Sequence, residues 1–123
     1  MFETALVNLY TRDIDAGVHF YRDLLGFVET FRAPEHVELR LGGFTVGLGS
    51  VEAARRLHRV EPEPGRPAMV LVVWTGDVDE AFARLVAAGV PVVQPPYSSG
   101  NDKRAALLQD PDGNLVEIVS KAG

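Results

Sequence analysis

The sequence predicts an α+β fold made of two copies of one strand–helix–three-strand module, βαβββ. Three observations predict it. Asp77 follows Asp13 by 64 positions, and Asp79 follows Asp15 by the same 64. Each aspartate pair lies between a strand-like run and a helix-like run, and each helix-like run ends at a glycine, Gly26 or Gly89. Three strand-like segments then follow each glycine. Two such halves, each with a helix over one sheet face, suggest pseudo-twofold pairing and leave the other face free to curve around a cleft.

Module one spans 1–50. Residues 5–10 form a short apolar-rich run suited to a strand. Arg12-Asp13-Ile14-Asp15 supplies the polar N-cap that a helix start needs. Val18, Tyr21, Leu24 and Leu25 recur at helical spacing, with Phe20 beside them, and Gly26 ends the helix. Residues 27–32 read as a strand broken by Pro34. His36-Val37-Glu38-Leu39-Arg40-Leu41 alternates polar with apolar, the mark of a half-buried strand. Gly42 and Gly43 turn the chain into a second alternating run over 44–48, completing a hairpin.

A connector spans 51–67. Its first part, 51–60, reads as a short helix carrying Arg55, Arg56 and Arg59, for a solvated face or a partner chain. Residues 61–67 hold three prolines, which cannot continue a helix because proline lacks the donor and clashes with the preceding turn. They read as a stiffened linker.

Module two spans 68–123 and restarts the pattern. A strand over 68–74 leads to Asp77 and Glu80, which have capping-box spacing. Val78, Phe82, Leu85 and Val86 give the next helix its apolar stripe. Strands are expected over 90–94, 105–109 and 115–119. Residues 95–102, opening on Pro95 and Pro96, read as a loop, and Asp110-Pro111-Asp112-Gly113 as a turn.

At 123 residues the chain is the size of one domain, 1–123, and can bury about two thirds of its unfolded surface without staples. It has no cysteine, which removes disulfides, thiolate metal sites and thiol nucleophiles and fits a reducing compartment. The net charge of −5, with basic residues scattered, gives no nucleic-acid footprint and no polybasic membrane patch. No apolar run approaches the roughly 18 residues of a membrane span. The first residues lack the basic and apolar regions of a signal peptide, so a cytoplasmic location is expected. No serine has an evident histidine–aspartate partnership, and no glycine-rich phosphate loop is present.

Asp13, Phe20, Tyr21, Leu25, Gly26 and Phe27 fit the pattern Asp-x6-Phe-Tyr-x3-Leu-Gly-Phe. The second half carries Asp77-Val78-Asp79, then Ala87-Ala88-Gly89-Val90, and closes on Asp110-Pro111-Asp112-Gly113-Asn114-Leu115-Val116-Glu117. This ordered set resembles the glyoxalase/bleomycin resistance protein/dioxygenase (vicinal oxygen chelate) superfamily over nearly the whole chain apart from the connector. The resemblance implies paired βαβββ modules in a curved mixed sheet and a homodimer. The cleft would be completed within one chain or across the dimer.

Family enzymes usually hold one divalent metal in the cleft through His, Gln and Glu side chains, which polarise vicinal oxygens of the substrate. By the resemblance these positions fall on Leu6, Gly47, Val70 and Glu117, and only Glu117 has a donor atom. One carboxylate is too little for a site of about three protein ligands, so no metal or other cofactor is expected. His36, Glu38 and Glu117 would be the set for a relocated metal, since His36 and Glu38 share a strand face. His36 is otherwise an edge or surface residue, His19 a solvated helix residue and His58 an exposed connector residue.

Strand alternation puts Asn8, Tyr10, Glu38, Arg40, Val72, Trp74 and Glu117 on the cleft faces, with Thr45, Gly47 and Gly49 leaving room there. Tyr10 and Trp74 suit stacking on a flat ring, or else plug the sheet or meet a partner subunit. Tyr97, in the expected loop, is placed as part of a lid or as an ordinary loop tyrosine. An apolar, aromatic cleft with few polar groups suits a small organic ligand. The leading expectation is metal-independent binding of such a molecule, as in bleomycin-resistance relatives that sequester or carry a ligand. A divalent-metal-dependent lyase, isomerase or dioxygenase is the alternative. A third reading is a metal-free enzyme with Glu38 or Glu117 as general base.

Overall fold

The structure is a computed structural model and describes residues 3–66, 70–100 and 102–122. The chain forms two compact units, 1–64 and 65–123. Each contains one βαβββ module with a four-stranded mixed sheet, which gives the α+β class the sequence predicts.

In the first unit, β1 (Val7–Thr11) leads into α1 (Ile14–Val18), which continues as a π-helical segment (His19–Leu24). Strands β2 (Val28–Ala33), β3 (His36–Leu41) and β4 (Phe44–Ser50) follow. The sheet order is β1-β4-β3-β2, with β1 parallel to β4 and the other pairs antiparallel. In the second unit, β5 (Val70–Trp74), α3 (Val78–Ala87), β6 (Val92–Gly100), β7 (Lys103–Gln109) and β8 (Leu115–Lys121) give the same order, β5-β8-β7-β6, with β5 parallel to β8. Ala68 and Met69 of the expected fifth strand, Pro67 of the connector and Asn101 of the expected loop lie outside the described residues.

The repeat has one local cause in both modules. Asp13 sits extended ahead of α1 and its carboxylate accepts from the Ala16 amide at 3.0 Å. Asp77 does the same ahead of α3, accepting from the Glu80 amide at 3.1 Å. Each satisfies an amide that has no partner inside the helix. Gly26 and Gly89 both adopt φ +87°, the left-handed conformation that glycine takes at least cost after a helix.

The core of module one lies between its helix and the inward sheet face. Val37, Leu39, Val46 and Leu48 are fully buried there, with Val18, Phe20, Tyr21 and Phe27 above them. A Cβ on Gly17 would come within 2.8 Å of Leu48 Cδ1, so glycine lets helix and sheet approach closely. The α-periodicity expected Leu24 and Leu25 to turn inward, but both are only half-buried and Phe20 is buried instead. The cause is the π-helical turn, in which Leu25 donates to Phe20 at i→i+5 and the face rotates away from the α-helical stripe. In module two, Val116, Ile118, Leu108 and Ala106 form the matching layer with Val78 and Leu85 of α3.

Two expected boundaries are corrected. Residues 95–102 are not a loop through Gly100, because β6 runs on through Pro95, Pro96 and Tyr97. It pairs only with β7, so it is an edge strand, and its register shifts on both sides of the prolines. A proline without an N–H is tolerated at an edge or a bulge. The connector helix over 51–60 is α2 (Val51–Ala53) followed by a π-helical segment (Ala54–His58), closed by Arg59 at φ 55°. Smaller differences are that β1 starts two residues later than expected and that β7 and β8 each extend two residues further.

Candidate functional site

Sheet register places the first module's candidate residues in two rows on the face opposite α1. Asn8 pairs with Gly47, Gly47 with Glu38, and Glu38 with Phe31. In the next row Tyr10 pairs with Gly49, Gly49 with His36, and His36 with Ala33. Each row has a glycine at its centre, so side chains from β1 and β3 lean over bare backbone.

The two glycines have different neighbours. A Cβ on Gly47 would overlap Asn8 Oδ1 and lie 2.9 Å from His36 Cε1. Gly49 faces His36 Nδ1, with 4.0 Å between that nitrogen and a Cβ built on the glycine. His36 Nε2 lies 3.0 Å from Glu38 Oε2, and the two side chains are each 29% exposed. Phe31 stands beside the imidazole, with ring centroids 6.2 Å apart.

The connector closes this face at one end. Ser50 N-caps α2 by accepting from the Ala53 amide at 3.0 Å. Val51 and Ala54 bury themselves and hold the segment down. Glu35, in the β2–β3 turn, accepts from Arg56 Nη2 at 2.7 Å and from the Ser50 hydroxyl at 3.2 Å. The hydrogen bond from Arg56 is the main reason the Glu35 carboxyl lies below the ordinary glutamate value; the Arg56 charge and the Ser50 hydroxyl lower it further, against an opposing desolvation. These contacts anchor the connector over the sheet end.

The result is a pocket of about 350 Å³. Asn8, Tyr10, Ala33, His36 and Gly49 line it from the sheet, Pro34 and Glu35 from the β2–β3 turn, and Ala53, Ala54, Leu57 and His58 from the connector. His58 meets Tyr10 edge-on at 6.4 Å. Sequence reasoning selected Asn8 and Tyr10 as ligand-binding and flagged His36, but missed the turn and connector walls. The available signal was Val51, Ala54 and Leu57 at i, i+3 and i+6, an apolar stripe on a segment otherwise rich in arginine.

Of the other selected residues, Glu38 and Arg40 are on the first sheet, and Val72, Trp74, Tyr97 and Glu117 belong to the second unit. Glu38 is in the sheet face next to His36. Arg40 is exposed, and its Nε donates to the Gly42 carbonyl of its own hairpin at 2.8 Å. Val72 and Glu117 pair on the open face of the second sheet, and Trp74 pairs with Val119 one row on. Trp74 is 57% exposed, with Lys103 Nζ 5.5 Å from its ring centroid. Tyr97 belongs to edge strand β6, opposite Ala105, which corrects its placement in a lid loop. His19 is exposed beside Asp23, and His58, also exposed, forms part of the pocket wall.

The donor set does not fit the family's metal. The register pairs Asn8 with Gly47 and Val72 with Glu117, so Gly47 and Glu117 are equivalent positions in the two modules. Leu6, Gly47 and Val70 supply no donor, and the space beside Gly47 is taken by Asn8. Among the described residues no group of three or more His, Cys, Asp or Glu side chains is gathered so as to hold a metal ion.

The fold, the ordered motifs and the glycine-centred sheet face define a glyoxalase-like protein. The family model described as Glyoxalase/Bleomycin resistance protein/Dioxygenase superfamily matches residues 4–118, and the chain belongs to that family. It is 30% identical over 114 residues to an uncharacterised protein of Mycolicibacterium smegmatis, covering 93% of this chain and 90% of that one. It is 25% identical over 113 residues to a virulence protein of Salmonella typhimurium, covering 89% and 78%. Among solved structures, a glyoxalase/bleomycin resistance protein/dioxygenase family enzyme from Burkholderia phytofirmans superposes with TM-score 0.84 at 28% identity, covering 94% of this chain and 96% of that one. No helix among the described residues is long and apolar enough to cross a membrane.

Proposed function

We propose that the protein binds a small, partly aromatic or apolar organic molecule without a metal, in a sequestering or carrier role of the bleomycin-resistance kind. The observation that carries this reading is the pocket of about 350 Å³ between the first sheet and the connector. Its walls join apolar surface from Leu57, Ala33 and Ala54 to the Tyr10 and His58 rings and a small set of polar groups, the composition of a small-molecule site. The donor-poor family positions Leu6, Gly47 and Val70 support metal independence.

A compound that binds only the folded chain raises the melting temperature. EDTA-treated protein is expected to gain stability with apolar aromatic compounds, and Leu57→Asp to lose that gain while folding normally. A response that appears only after a divalent ion is added contradicts the proposal. The reading extends to a homodimer and to a single domain over 1–123, with module one at 1–50, the connector at 51–67 and module two at 68–123. Exposed Val70, Val72 and Trp74 on the second sheet support the dimer, which sedimentation would detect.

A further inference from the structure

We infer that His36, oriented by Glu38, is a hydrogen-bond acceptor in the pocket, and that the ligand class is aromatic compounds bearing an O–H or N–H donor, such as phenols and azoles. This rests on the proposed binding role of that pocket.

The argument starts from the side-chain inventory. An ionised carboxylate only accepts hydrogen bonds. The 3.0 Å contact between His36 Nε2 and Glu38 Oε2 therefore puts a proton on Nε2. When the imidazole is neutral it carries one N–H, and Nδ1 then keeps a lone pair. Among the described residues Nδ1 has no hydrogen-bond partner.

Gly47 makes this arrangement possible, and Gly49 lies beside the free nitrogen. A side chain at Gly47 would collide with the imidazole at Cε1, and one at Gly49 would lie against Nδ1. His36 and Gly49 both line the pocket, with Tyr10 in the same row. A flat ring placed against Tyr10, His58 and Leu57 has Nδ1 as a nearby acceptor for a donor on its edge.

The arrangement belongs to one module. The register makes Ala105 and Leu107 of the second module the counterparts of His36 and Glu38. Position 36 therefore works through its own strand neighbours rather than through a repeated family feature. Glu38 acts here as a positioning residue, because its carboxylate is engaged by the imidazole.

The test compares 2-naphthol with 2-methoxynaphthalene, which has the same rings but no donor, on the EDTA-treated protein. Binding is read by NMR, and the His36 ring nitrogens are read by ¹⁵N shifts. A net hydrogen bond predicts a preference of about tenfold for 2-naphthol. His36→Leu should abolish that preference while 2-methoxynaphthalene still binds, which separates loss of the donor contact from bulk at the methoxy group. The ring nitrogens should report the Nε2–H tautomer, and Glu38→Gln should blur that pattern and shrink the preference. Equal binding of both compounds by the wild type, or an Nδ1–H tautomer, overturns the inference and leaves the binding role standing. Failure of both compounds to bind overturns the two together.

Discussion

Gly47 and Asn8 occupy one place in the first sheet: a Cβ on Gly47 would overlap the Asn8 amide oxygen. The fourth strand thus carries no side chain here, and the side chain of the neighbouring β1 fills the space. Gly47→Ala should displace Asn8 and crowd His36, at a cost of about 1–3 kcal/mol for overpacking. Chemical unfolding of Gly47→Ala in wild-type and Asn8→Gly backgrounds checks this. The alanine should be better tolerated when Asn8 is absent.

The inward face of the same sheet should respond differently from the pocket wall. Leu39 is fully buried, and Leu39→Ala should cost about 2–5 kcal/mol through lost burial and the cavity left behind. Leu57 is 68% exposed, so Leu57→Ala should leave stability within about 0.5 kcal/mol. Its effect should appear instead as weaker binding of aromatic compounds. Denaturation and titration of the two variants separate packing from recognition.

The two N-caps offer a test of the repeat. Asp13 and Asp77 make equivalent bonds to the amides of Ala16 and Glu80. Asp13→Ala and Asp77→Ala should each cost about 1 kcal/mol. Amide exchange should rise at the start of α1 in the first variant and at the start of α3 in the second.

Much of this was legible in the sequence, and the gaps have physical causes. The aspartate–glycine repeat fixes strand–helix boundaries because an N-cap acceptor and a left-handed glycine are local requirements. Alternation placed Val37 and Leu39 on one face and His36 with Glu38 on the other, because strand periodicity is two. Pro95 and Pro96 misled, since their exclusion from strands lapses at an edge. The π-helical turn at 19–24 shifted the apolar stripe because its spacing is one that the α-helical pattern does not contain. The connector wall was missed because it depends on Glu35, 21 positions before its partner Arg56.

The anchor of that wall should depend on acid. Glu35 has a folded-state pKa below its ordinary value, with the Arg56 hydrogen bond the largest cause. Such a group stabilises the fold above the unfolded-state pKa, and the contribution disappears as pH falls through the lower, folded value. Amide exchange at 53–58 should therefore accelerate as pH drops below the ordinary glutamate range, after correction for intrinsic exchange rates. Glu35→Gln should exchange faster at neutral pH and lose that acid dependence.

The most direct measurement of the central claim is an NMR titration of EDTA-treated protein with 2-naphthol. The account predicts saturable shifts at Asn8, Tyr10, His36 and across 53–58, unchanged when a divalent ion is added. Binding that requires the ion, or shifts that avoid these residues, would contradict it.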